Sequence, residues 1–219
     1  MPRSKKTRTK SIERPGSRHL RRPSQLRMEI AAEAAHIIAT EGQHNYHAAK
    51  KKAADRVGAS DRVALPSNLE VKDALKRYQA LYGGEAHHHN LRELRSTAVR
   101  AMKLLDAYQP RLVGAVLDGT AEEHSRVALH VFADSVESVV LFFLDRDIPF
   151  SQEQRQIRWY TGEQRAIPLV VAELNGRVVE LSVYEEVDLR QAPPSPIDGK
   201  PQRRAALHEA EVLLAESGV

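Results

Sequence analysis

Two neighbouring stretches of this chain hold the residue types from which a polar site is built. The first runs Gly114-Ala115-Val116-Leu117-Asp118-Gly119-Thr120, and the second His124-Ser125-Arg126-Val127-Ala128-Leu129-His130. The second alternates as a strand does. Val127, Leu129 and Val131 take one face, and Arg126, Ala128 and His130 take the other. The polar face is therefore cationic, and a guanidinium there pairs with a carboxylate or takes a phosphate directly. Other chemistries find less support. His87-His88-His89, and His44 with His47, are of a type that binds zinc, but no acidic or thiolate ligand stands at a telling spacing, and a polar loop explains them. His124 beside Ser125 suggests a nucleophile and its base. Adjacent residues rarely face each other, however, and no glycine elbow surrounds the serine. Neither a Gly-Lys-Ser phosphate loop nor a Gly-x-Gly-x-x-Gly dinucleotide pattern is present.

Together the two stretches resemble the signature of the minimal nucleotidyltransferase fold. That family has a Gly-Ser pair after its first strand, a second glycine in the loop, then Ser-Asp-x-Asp on the next strand. The resemblance covers residues 105 to 190, and the whole chain is similar to small bacterial nucleotidyltransferase-like proteins. It implies that the loop holds nucleotide phosphates. It also implies that the two aspartates and a third carboxylate on a later strand hold a divalent metal for in-line attack on the α-phosphate, since magnesium needs hard oxygen ligands. Gly114 and Gly119 keep the loop glycines, Ala115 replaces the serine hydroxyl, and Ser125 matches the serine before the first aspartate. Arg126 and Ala128 fill the two metal positions, and neither ligates magnesium. Glu180, in Val178-Val179-Glu180-Leu181-Ser182-Val183, matches the third carboxylate.

On this resemblance, nucleotide or phosphate is expected at Gly114, Ala115, Gly119, Thr120, Ser125 and Arg126. Arg126 then stands in the vacated metal position and pairs with Glu180 or a phosphate; the alternative is an Arg126 that faces solvent. The function implied is a degenerate, non-catalytic member that binds nucleotide or nucleic acid in a regulatory role. An active metal-dependent enzyme is the alternative, with magnesium assembled from Asp118, Glu122 or Glu123 together with Glu180. Those acidic residues would repel a triphosphate unless a metal bridged them.

The elements that must position these residues read as α+β, with a helical region over 24–108 and a mixed sheet with flanking helices over 109–219. Helical spacing of Leu26, Ile30, Ala34, Ile37 and Ile38 predicts a first helix, capped by Ser24 and stopped at Gly42. A second is predicted from Asn45 to Val57, ending at Gly58. A third begins at a Ser67–Glu70 capping box and ends at Gly83-Gly84, and a fourth runs from Asn90 to Tyr108. Strands are predicted over Arg111–Leu117, Arg126–Phe132, Gln156–Tyr160, Ile167–Leu174 and Arg177–Tyr184, the last two joined by an Asn175-Gly176 hairpin turn. An Asp134–Glu137 capping box opens a helix between the second and third strands, Ala192–Pro196 is an extended loop, and a helix over Arg203–Glu216 closes the chain. The segment Met28–Gly58 resembles the opening of a helix-turn-helix repressor, which offers a DNA-binding regulator as a further alternative. Pro66 falls where the recognition helix should follow, and Lys50, Lys51 and Lys52 spread around a helix as a solvated face does.

Charge is distributed unevenly. Residues 1 to 27 carry ten Lys or Arg against Glu13 alone, while the whole chain is only +4, so the remainder is net acidic. The segment 1–23 therefore reads as a disordered basic tail, with Lys5, Lys6, Arg8, Lys10, Arg18, Arg21 and Arg22 as candidates for nucleic-acid binding through counterion release. The absence of cysteine rules out disulfides and thiolate metal sites and fits a reducing cytoplasm. No apolar run approaches the length of a membrane span, so no membrane partner is expected.

Overall fold

The computed structural model describes residues 22–43, 45–59 and 64–217. Three helices come first: α1 (Pro23–Glu41), α2 (Tyr46–Val57) and α3 (Asn68–Tyr82). The start of α1 differs from the sequence reading. Pro23 takes the first helical position, where its fixed φ and missing N–H cost nothing, so Arg22 is the capping residue and Ser24 lies inside the first turn. The other boundaries follow their capping chemistry. Asn45 accepts from the His47 and Ala48 amides at 2.9 and 3.1 Å, and Ser67 and Glu70 cap each other's backbone amides at 3.2 and 2.7 Å. Gly42 and Gly58 end α1 and α2 in the left-handed conformation.

α4 (Gly84–Leu104) follows α3 directly, so His87, His88 and His89 belong to a helix rather than to the loop expected for them. The reversal needs Gly83, where a Cβ would meet the Gln79 carbonyl at 2.5 Å. A 3-10 turn then leads into β1 (Arg111–Val113), α5 (Gly114–Asp118), β2 (Val127–Phe132), α6 (Val136–Leu144), β3 (Phe150–Arg158), β4 (Gln164–Leu174), β5 (Arg177–Tyr184) and α7 (Leu207–Glu216).

Several boundaries shift for identifiable reasons. The predicted strand over Arg111–Leu117 stops at Val113, because Gly114 turns to φ 72° and the chain enters a short helix. A brief apolar run does not distinguish the two conformations. No Asp134 cap forms, and Ser135 stands at the N-cap of α6. β3 is much longer than predicted, since its exposed, polar residues carry no apolar alternation to read. Arg203 to Ala206 stay extended ahead of α7, where Ala205 exchanges two backbone hydrogen bonds with Leu112 on β1.

The five strands form one sheet in the order β1-β2-β5-β4-β3, with β2 and β5 parallel and every other pair antiparallel. Asn175 and Gly176, both at positive φ, turn β4 back into β5. Among the described residues, α-helices cover one face only. Val127, Leu129, Val131, Val179, Leu181 and Val183 are buried there against side chains of α4, α5, α6 and α7. α4, read above with the helical region, thus contributes its buried residues to the sheet's core, while α1, α2 and α3 enclose a separate one. The helical trio meets the rest through Lys72 on Asp118 at 2.7 Å, Gln79 on the Thr120 carbonyl at 3.2 Å and Asn68 on the Pro196 carbonyl at 2.8 Å. No described helix is long and apolar enough to cross a membrane.

Candidate functional site

The face of the sheet without α-helices carries the site. Parallel pairing sets Ala128 opposite Glu180, His130 opposite Ser182 and Phe132 opposite Tyr184. All six side chains share that face. Phe132 and Tyr184 pack with Ile167 and Leu169 into a small apolar patch. Beside it lies a cavity of about 840 Å³, floored by Ala128, His130, Glu180 and Ser182. One wall is the end of β3 and its turn, Arg155 to Tyr160, and the other is the extended segment from Pro193 to Pro196. The Tyr160 hydroxyl donates to the Ala192 carbonyl at 3.0 Å and joins the two walls.

Glu180 is only 4% exposed, and a carboxylate so deep must be paired. Arg155 grips it with both guanidinium nitrogens, Nη1 on Oε1 and Nη2 on Oε2, each at 2.9 Å. Arg126 adds Nη1 on Oε2 at 3.2 Å and also lies 3.4 Å from Glu153. The pairing of Arg126 with Glu180 anticipated from the sequence is thus present, and Arg155 is a second partner that sequence reasoning missed. Two guanidiniums, Arg126 and Arg155, thus meet the two carboxylates Glu153 and Glu180, and Arg158 is a further residue lining the cavity.

His130 is 3% exposed, and its Nδ1 accepts from Arg204 Nε at 3.0 Å. Burial first, then the charges of Arg204 and Arg155, push its pKa down to about 3. The ring is therefore neutral and carries its proton on Nε2, toward the cavity. Arg204 stacks 5.0 and 5.5 Å from the Phe132 and Tyr184 ring centres and donates to the Asp188 carbonyl at 2.8 Å, so it fixes the imidazole from behind.

The predicted phosphate loop divides. Gly114 lines the cavity and also, with Ala115 and Thr120, a smaller one of about 320 Å³ between α5, Lys72 and Pro196. Gly119 lies on the far side, where a Cβ would approach Leu91 and Arg95. The Ser125 hydroxyl accepts from the Glu122 amide at 2.8 Å and closes a turn, and Ser125 is not among the residues lining the cavity. Alternation places His130 on the polar face with Ala128 without giving it a role, whereas Arg155, Arg158 and Ser182 were missed.

Magnesium does not fit these residues. Asp118 is held by Lys72, Glu122 accepts from Gln79, and both oxygens of Glu180 are occupied by guanidinium nitrogens. Among the described residues no three acidic or histidine side chains group as a metal site, and this includes His47 and His87 to His89. His44 lies outside the described residues.

For the helical region, residues 64–67 after α2 are non-helical, and α3 buries Val71, Ala74 and Leu75 against α1 and α2. Lys50 donates to Asn68 and Lys52 pairs with Glu41. Lys5, Lys6, Arg8, Lys10, Arg18 and Arg21 lie outside the described residues, and Arg22 caps α1. No protein-family model matches the chain, and comparison with curated proteins finds no significant match.

Proposed function

We propose that this chain is a catalytically degenerate member of the nucleotidyltransferase fold that binds nucleotide in the cavity on the open face of its sheet and acts as a regulatory protein. The observation that carries the reading is the cluster of Arg126, Glu180 and Arg155 beside Ala128. The resemblance expects a metal ion held by three carboxylates at this place. One carboxylate is there, and two guanidiniums sit on it. Fixed guanidiniums match phosphate in charge and shape, but they supply no Lewis acid with an open coordination position for in-line displacement. That balance favours holding a phosphate over transferring one. Gly114 at the cavity edge and the parallel β2–β5 pair, which brings Ala128 level with Glu180, support the same reading.

The test is direct. Nucleoside triphosphates are titrated into the full chain by calorimetry. In parallel, γ-labelled triphosphates are incubated with it in magnesium or manganese and assayed for released pyrophosphate. The expected outcome is binding without release. Turnover above background removes the non-catalytic reading. A nucleic-acid role for the basic tail predicts salt-steep binding of single strands that disappears when residues 1–21 are removed.

A further inference from the structure

We infer that the open-face cavity takes a single nucleotide as its metal-free anion, with Arg155 and Arg158 on the phosphate and the Ser182 hydroxyl and His130 Nε2–H as hydrogen-bond partners on the floor. The inference rests on the nucleotide reading above and specifies the form in which the ligand is bound.

Size and enclosure come first. A cavity of about 840 Å³ is within the ordinary range for small-molecule sites, and the segment from Pro193 to Pro196 walls one side of it. A mononucleotide fits such a space better than a continuing strand. The walls offer a ring the apolar surfaces of Ile157, Tyr184 and Pro194.

Polar groups without work come second. Ser182, 6% exposed, and Nε2 of His130 both line the cavity, and neither has a hydrogen-bond partner among the described residues. Both atoms open onto the cavity, so a ligand seated there can hydrogen-bond them directly. His130 holds its proton on Nε2 because Arg204 donates to Nδ1, so at this position it is a donor only.

Charge comes third and decides the form of the ligand. Arg155 spends one hydrogen of each terminal nitrogen on Glu180 and keeps further N–H groups, and Arg158 has no acidic partner among the described residues. An anion is attracted. A divalent cation travelling with a triphosphate would meet Arg126, Arg155 and Arg158, with Glu180 already occupied at both oxygens. The ion that a transferase needs is here a competitor for the phosphate.

The experiment titrates AMP, ATP, GTP, CTP and UTP into the full chain by calorimetry, once in EDTA and once in excess magnesium. The expected result is that at least one binds in EDTA, and that for a triphosphate magnesium weakens binding several-fold. Arg158→Ala, at an exposed and unpaired position, is expected to weaken binding about tenfold, and Ser182→Ala about threefold. The double variant Arg155→Met/Glu180→Met removes both halves of the buried pair without leaving a stranded charge, and is expected to weaken binding more than Arg158→Ala. Binding in magnesium alone overturns the metal-free form and leaves the nucleotide reading standing. Binding that ignores all three variants overturns the location. Failure of every nucleotide in both buffers removes the nucleotide reading and this inference with it.

Discussion

Alternate residues of β2 and β5 live in two different settings. Val127, Leu129, Val131, Val179, Leu181 and Val183 pass under the helices into a core built from apolar side chains. Ala128, His130, Glu180 and Ser182 turn the other way, and three of those four are polar yet equally buried. The covered face is held by area and shape, whereas the open face is held by matching charges and hydrogen bonds. Polar groups can therefore be collected on the second face without weakening the first, because the strands themselves are secured from behind.

The largest break in that contrast comes from the covered face. Leu181→Ala opens a cavity under α4 and should cost about 2–5 kcal/mol, read as a lower denaturant midpoint with an unchanged slope. On the open face, Arg155→Met leaves buried Glu180 with Arg126 alone and should cost about 1–3 kcal/mol, an amount held down by solvent around the half-exposed guanidinium. Arg155→Met/Glu180→Met should recover most of that loss. If the double variant is no more stable than the single one, the pair is not what holds this face.

A third effect is one of pH. The folded His130 pKa of about 3 lies below the ordinary value of 6.5. The unfolded chain therefore binds this proton first as pH falls, and stability drops from pH 6.5 downward until the folded form also titrates near 3. Between pH 7 and 5.5 the share of His130 is about 1 kcal/mol, so His130→Gln should flatten the pH profile of stability by that much. Smallest of all, Arg158→Ala should leave stability within about 0.5 kcal/mol, since the side chain is exposed. A larger loss would mean that Arg158 holds the wall and does not merely face a ligand.

Much of the fold was legible because its punctuation is local. Asn45, Ser67 with Glu70, Gly42, Gly58 and the Asn175-Gly176 turn each fix a boundary through their own side chain or backbone freedom. The alternation of Val127 to Val131 likewise announced which residues would face the same way. The cavity was not legible, since it is assembled by pairing across distance. Glu180 reaches Ala128 only because β5 runs beside β2, and Arg155 reaches Glu180 across β4 from a strand whose polarity hid it. The local role of Ser125 was hidden for the opposite reason, because a hydroxyl suited to a site is equally suited to closing a turn.

β3 has one further consequence. It is one of the two outermost strands, nine residues long, and among the described residues no strand pairs with its outer edge. A long bare edge invites a second chain to add its own strand, and proteins guard against that with charge. Glu153, Arg155 and Arg158 put three formal charges along this margin, so a docking strand would have to cover ions along its length. The arginines that fit a ligand also defend the molecule against polymerising along its own sheet.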